Sequence, residues 1–264
     1  MITHDRFPGL ASVLDTKLRK IGRFLKVAYG KTDAITKTHA YDKVTKYDVK
    51  TEQMIIGQLK RLTPHTPVVG EERGGDTSKK EYWLLDPIDG TIHFIRGNPF
   101  SMIMLALIQN NKPVFAVLYN FITDEFFHAY KGGGAYLNHK PIHVSTRTND
   151  ESVLLTEIDL RHLGNDTLFM HLSKRYKLMN LICAGYEFAM VAQGHAECRL
   201  MIDPFGKSYD FAPGALLVQE AGGIAKNLHG EDYTVNDSHF IAASSETIYN
   251  LVTKIISTTR KDLL

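Results

Sequence analysis

Three apolar residues, Trp83, Leu84 and Leu85, run without a break into Asp86-Pro87-Ile88-Asp89-Gly90-Thr91. An apolar run that stops at a carboxylate reads as a buried strand delivering a charged side chain to a sheet edge. Pro87 stiffens the exit and Asp89 follows three residues after Asp86, so two carboxylates share one short turn and repel each other unless a cation lies between them. Hard divalent cations want oxygen ligands, and Mg²⁺ commonly takes a few carboxylates together with water and phosphate oxygens. Gly90, without a Cβ, lets its N–H approach a ligand closely, and Thr91 can open a short helix whose first amides form an anion site. The same residues read equally well as an ordinary Asp-Gly turn followed by a helix cap.

Two other segments bear on that choice. Val68-Val69-Gly70-Glu71-Glu72 is a second strand-like run ending in acids. Asp210 heads a helix predicted over residues 211–221, with Pro213 in the first turn, where a missing N–H is tolerated. Asp210 alone reads as an N-cap; beside the strand-end acids it becomes a candidate metal ligand. Asp48 reads as the N-cap of a helix over 49–62 that ends before Pro64.

Any such metal site would serve function rather than mere stability. A folded chain of 264 residues buries roughly 75% of its unfolded surface and needs no metal or disulfide to hold together. With 31 Lys+Arg against 29 Asp+Glu the net charge is +2, which gives no bulk reason to expect a nucleic-acid or membrane-surface partner. Two cysteines, Cys183 and Cys198, and no basic-then-apolar leader point to a cytoplasmic protein without a disulfide framework. The apolar runs are far shorter than a membrane span. Leu10, Val13, Leu14, Leu18, Ile21 and Leu25 mark an amphipathic helix over 10–28 with a basic outer face. Residues 100–144 read as strands joined by turns at Asn110-Asn111, Gly132-Gly133-Gly134 and Asn138-His139-Lys140-Pro141. Strands over 153–157, 178–183 and 240–243 alternate with helices over 165–175, 186–193 and 246–257. The class is α+β, expected as a single domain over 1–264 with lobes of about 1–146 and 147–264.

Together Gly70-Glu71-Glu72, Asp86-Pro87-Ile88-Asp89-Gly90-Thr91 and the stretch from Asp210-Phe211-Ala212 to Glu220-Ala221-Gly222-Gly223 resemble the inositol monophosphatase family of metal-dependent, lithium-sensitive phosphatases. The likeness in order and spacing runs from about Asp42 to Ala243, and Lys131-Gly132-Gly133-Gly134-Ala135 with Asn138 and Val144-Ser145 resembles that family's hairpin. The resemblance implies a layered αβαβα sandwich of the sugar-phosphatase type, usually a homodimer, with two or three Mg²⁺ per subunit. By the same resemblance Glu71, Asp86 and the Ile88 carbonyl would hold one ion, and Asp86, Asp89 and Asp210 a second. Asp48 would orient Thr91, Glu71 and Thr91 would position the metal-activated water that attacks phosphorus, and Asp89, Gly90 and Thr91 would contact the phosphate ester.

Departures from that pattern fall mainly on the substrate side. Ile92-His93-Phe94 replaces the usual Thr-Asn-Phe, and Tyr209 stands where Trp is common. A substrate-binding acid counted forward from Val191-Ala192-Gln193-Gly194 falls on Met201, and counted backward from Asp210 it falls on Asp203, implying a two-residue insertion. Asp203 is therefore the expected substrate hydroxyl ligand, and Lys207 and Arg199 would favour a more anionic ester. The expected substrate is a small polyol phosphate, inositol-1-phosphate first. Alternatives are a histidinol or sugar phosphate, a 3′(2′),5′-bisphosphate nucleotide, or a non-catalytic regulatory role through the basic first helix.

Overall fold

The computed structural model describes residues 1–36, 43–148 and 151–263; Asp42, where the family likeness begins, lies outside them. The chain opens with α1 (Phe7–Ala28), then β1 (Ile35–Thr36), β2 (Lys43–Val44) and α2 (Lys46–Leu62). Next come β3 (Val68–Gly70), β4 (Glu81–Asp89), α3 (Thr91–Arg96), β5 (Met102–Gln109), β6 (Lys112–Asn120), β7 (Glu125–Tyr130), β8 (Gly134–Leu137) and β9 (Lys140–Pro141). The second half alternates: β10 (Val153–Ile158), α4 (Asn165–Ser173), β11 (Lys177–Met179), α5 (Ala184–Ala192), β12 (Cys198–Ile202) and α6 (Ser208–Glu220). It ends with β13 (Ile224–Asn227), β14 (Phe240–Ala243) and α7 (Glu246–Thr259).

A seven-stranded sheet runs in sequence order from β3 to β9, and a five-stranded sheet has the order β11-β10-β12-β14-β13. Because successive strand residues point to opposite faces, alternation shows what lies on each side. Trp83, Leu85, Ile103, Leu105 and Leu107 pack with α1 and α2, whereas Leu84, Met102, Met104, Ala106 and Ile108 pack with α5 and α6. In the smaller sheet Leu155, Met201, Phe240 and Ala242 face that same middle cluster, while Leu154, Leu200, Ile202 and Ile241 face α4 and α7. The layers are thus αβαβα. The middle layer is the most enclosed: every residue of α6 from Phe211 to Val218 is buried, as a helix apolar on all sides requires.

The predicted elements differ from the structure where caps and buried polar residues intervene. Asp48 is not the N-cap of α2; Thr45 is, and Asp48 sits one turn in, accepting from Thr45 N at 2.7 Å to complete a capping box. Likewise α6 starts at Ser208, so Asp210 lies inside its first turn and Pro213 further along the helix than expected. Strand β11 stops at Met179, short of the predicted 183. Strands β12 and β13 were not predicted; β12 carries a buried Arg199 that interrupts its apolar pattern.

Gly214 lets α5 and α6 meet, since a Cβ there would lie 2.1 Å from Phe188 Cδ2. Gly214→Ala is expected to lower stability by about 1–3 kcal/mol through overpacking, outweighing the ~1 kcal/mol that Ala normally gains in a helix. Thermal unfolding tests this, and a Tm at or above wild type would refute it.

Candidate active site

The site begins with strand register. Parallel pairing of β3 with β4 sets Gly70 opposite Leu85, so the next residues, Glu71 and Asp86, emerge side by side, with Glu71 N donating to Leu85 O at 2.9 Å. From α2 the buried Glu52 accepts from Glu72 N at 2.8 Å. A Cβ on Gly70 would come within 2.3 Å of the same carboxylate, so glycine lets Glu52 fix the turn that carries Glu71.

In β4 the pairing with β5 slips by one residue between Asp86 and Asp89, which face Met104 and Met102. Pro87 sits in that bulge, where its missing N–H breaks no ladder bond. The bulge turns both aspartates toward α5 and α6. Asp86 Oδ1 accepts from Ile88 N at 2.9 Å. Asp89 accepts from Ala184 N and Gly185 N at 3.1 and 2.6 Å and from the Cys183 thiol at 3.2 Å, so it meets the positive end of α5. Asp210 accepts from Lys207 N at 2.5 Å.

Carboxylate oxygens of Asp86, Asp89 and Asp210 lie within 4.8 Å of one another. They line a cleft of about 160 Å³ together with Glu71, Ile88, Gly90, Thr91, Lys43 and Ile182. Burial raises the Asp86 carboxyl well above its ordinary range, and the charges of Glu71, Asp210 and Asp89 push the same way. Asp210 is raised by burial and by Asp89 and Glu71. Burial also raises Asp89, opposed by its amide and thiol hydrogen bonds and by Arg199. Crowded, anionic oxygen donors of this kind suit a hard divalent cation, and among the described residues no other such cluster of metal-ligating side chains occurs.

Thr91 Oγ1 lies 2.9 Å from Ile88 O and 3.2 Å from Asp48 Oδ1, and its single proton serves one of them at a time. Burial pushes Asp48 up to about 7, against the hydrogen bonds from Thr45. Gly90 has φ +74°, and a Cβ there would strike Phe100 O at 2.4 Å; glycine is required for the turn into α3.

Not every predicted residue joins this group. Asp203 lines neither the acidic cleft nor its neighbour. Its carboxylate is engaged by Asn165 Nδ2 at 3.0 Å, His239 Nε2 at 3.0 Å and Arg260 Nη1 at 2.9 Å, which differs from the expected hydroxyl ligand and makes it an anchor of the loop before α6. His93 bridges Leu181 O and Asn98 through its two ring nitrogens. Arg199 is committed to carboxylates, with Nε on Glu187 at 2.8 Å and Nη2 on Glu157 at 2.9 Å, while its Nη1 makes no hydrogen bond among the described residues.

A second cavity, of about 500 Å³, shares Glu71, Asp89 and Asp210 with the cleft and is lined by Glu157, Ile182, Glu187, Arg199, Phe205 and Lys207 among others. Sequence reasoning missed Glu157, Ile182 and Phe205. Pattern carried no signal for them, because the C-terminal end of β10 and the loops after β11 and β12 come together only in the folded chain.

A model of the inositol monophosphatase family matches residues 10–261. An inositol monophosphatase 1 of Solanum lycopersicum is 29% identical over 241 residues, covering 86% of this chain and 87% of the relative. A Thermococcus kodakarensis fructose-1,6-bisphosphatase/inositol-1-monophosphatase is 34% identical over 223 residues, covering 81% and 84%. Among solved structures, a Thermotoga maritima IMPase superposes with a TM-score of 0.85 at 26% identity, covering 96% of this chain and 98% of that one.

Carboxyls that hold their protons above the ordinary carboxylate range make the metal-free fold relatively more stable at low pH and less so as pH rises through their raised values. A divalent cation reverses this by displacing protons, so its apparent affinity rises as pH rises and is lost in acid. Asp86→Asn keeps the oxygen that accepts from Ile88 N and removes one repelling charge. In chelator at neutral pH it is expected to raise Tm by roughly 2–4 °C, on the order of 1 kcal/mol, while abolishing most of the rise that Mg²⁺ confers on wild type. A Tm in chelator equal to or below wild type would contradict this account of the crowding.

Proposed function

Because the chain belongs to the inositol monophosphatase family, whose members are metal-dependent phosphoric monoester hydrolases, we propose that its own reaction is Mg²⁺-dependent hydrolysis of a small polyol phosphate, inositol-1-phosphate first. The observation that carries this reading is the meeting, in one buried cleft, of acids from a strand end, a bulge and a helix start: Glu71, Asp86, Asp89 and Asp210. Glu71, Asp86 and the Ile88 carbonyl would hold one Mg²⁺, and Asp86, Asp89 and Asp210 another, two or three ions per subunit in all. Bound there, the metal would supply Lewis acidity and make water nucleophilic at neutral pH.

The protein's own groups orient the rest. A metal held by the Ile88 carbonyl would leave Asp48 as the acceptor of the Thr91 proton, and Thr91 Oγ1 then has a lone pair free to accept from water. Glu71 takes the second water proton, so the oxygen lone pair faces phosphorus. Gly90 and Thr91, at the start of α3, offer backbone amides to the non-bridging phosphate oxygens. As the bond from phosphorus to the ester oxygen breaks, that oxygen takes a proton from solvent water in the larger cavity and departs there as the alcohol. That cavity's wall is built from Glu157, Glu187, Arg199 and Lys207 rather than from Asp203, so recognition of the alcohol differs from the expectation drawn from spacing.

The test is phosphate release from a panel of inositol, sugar, histidinol and nucleotide monophosphates with Mg²⁺, with and without Li⁺. Inositol-1-phosphate is expected to give the highest kcat/KM, Li⁺ to inhibit, and Thr91→Ala to lower kcat about 10²-fold with little change in KM. Absence of Mg²⁺-dependent release from every ester would sink the proposal.

A further inference from the structure

An ester held at the carboxylates extends its leaving group toward the second cavity, because Glu71, Asp89 and Asp210 form a wall common to both spaces. Ile182 and Phe205 line this cavity and remain 65% and 51% exposed, so their apolar surface is open to whatever enters it. Ile182 also has φ +53°, and a β-branched residue in the left-handed region is a true outlier, because its Cβ crowds the following carbonyl. Such strain persists only where the surroundings over-determine the backbone.

They do so here. Leu181 N donates to Glu187 Oε1 at 2.5 Å, Leu181 O meets His93 Nε2 at 2.5 Å, and Ile182 N donates to Asn180 Oδ1 at 2.8 Å. Two residues later α5 begins, with its first amides on Asp89. Phe205 is held as firmly: its N–H and that of Gly206 both donate to Glu157 Oε1, at 2.9 and 3.0 Å. The Arg161 guanidinium lies 5.0 Å from the centroid of its ring. Arg199, beneath the cavity, joins the two anchors, with Nε on Glu187 and Nη2 on Glu157. One buried guanidinium thus sets the separation of the Ile182 and Phe205 segments.

We propose that Ile182 and Phe205 form an apolar clamp, spaced by the Glu187–Arg199–Glu157 bridge, that favours phosphate monoesters whose leaving group presents a flat apolar or aromatic face. The inference rests on the phosphomonoesterase reading above and ranks the esters that fall below inositol-1-phosphate, whose hydroxyls are recognised by the polar part of the same wall. Arg199, Glu187 and Glu157 are positioning residues, acting through the two loops they hold.

The test compares kcat/KM for phenyl phosphate and glycerol 2-phosphate, with Mg²⁺, in wild type, Ile182→Gly and Phe205→Ala. Each substitution is expected to reduce the ratio of the two values about tenfold, mainly through the KM for phenyl phosphate. Ile182→Gly is also expected to raise Tm by roughly 2–4 °C as the backbone strain is released. A side chain with a merely structural role would not couple greater stability to lost selectivity. An unchanged ratio in both variants, or wild-type hydrolysis of inositol-1-phosphate but of neither probe ester, overturns the clamp alone; no Mg²⁺-dependent hydrolysis of inositol-1-phosphate or of either probe by wild type overturns the phosphomonoesterase reading and the clamp with it.

Discussion

Like charges gathered out of water are the constraint around which this molecule is arranged. Asp86, Asp89 and Asp210 are buried or nearly so, with oxygens within 4.8 Å of each other, and the Coulomb repulsion between them is strong where solvent screening is weak. Each receives at least one backbone N–H: Ile88 for Asp86, Ala184 and Gly185 for Asp89, Lys207 for Asp210. These bonds offset part of the desolvation and none of the mutual repulsion. A proton or a cation relieves that, and at neutral pH a divalent cation does so for several carboxylates at once, which is why the crowding points to metal chemistry.

The layered architecture is what allows acids from distant parts of the chain to converge without losing precision. Two come from adjacent strands of one sheet, a third from a proline-bearing bulge in the same strand, and the fourth from a helix packed between the two sheets. All ride on rigid elements, the kind of support that holds reacting groups within fractions of an ångström. Small residues permit the approach: Gly70 admits Glu52 beneath the Glu71 turn, and Gly214 admits Phe188 between α5 and α6.

The opposite wall of the site follows a different logic. Glu157, Glu187 and Arg199 are buried ionic partners whose neutralisation is internal, so they shape the cavity without adding net cationic charge to it. A buried ion pair is weak support for stability in general, and its evident use here is geometric: it ties two loops that share no secondary structure. Loops are where backbone strain can be kept for function, and Ile182 is such a place.

Much of the catalytic side was legible in the chain because it is written in contiguous signals. An apolar run stopping at Asp86, a proline at Pro87 and a glycine at Gly90 each report a local backbone requirement, and local requirements leave local patterns. The roles of Asp48 and Asp210 were less legible, since a residue in the first helical turn and an N-cap have nearly the same sequence context; the capping box with Thr45 and the start of α6 at Ser208 decided between them. Asp203 shows the limit most clearly. Counting residues placed it at the substrate, yet its partners Asn165, His239 and Arg260 come from three other segments, and no spacing along a chain encodes which carboxylate a remote guanidinium will capture. Sequence alone determined the strand into Asp86, the turn at Gly90 and the acids that end these runs; the tertiary structure decided where β12 and β13 lie, which charges meet and which are already taken, because long-range pairing depends on packing rather than on neighbours in the chain.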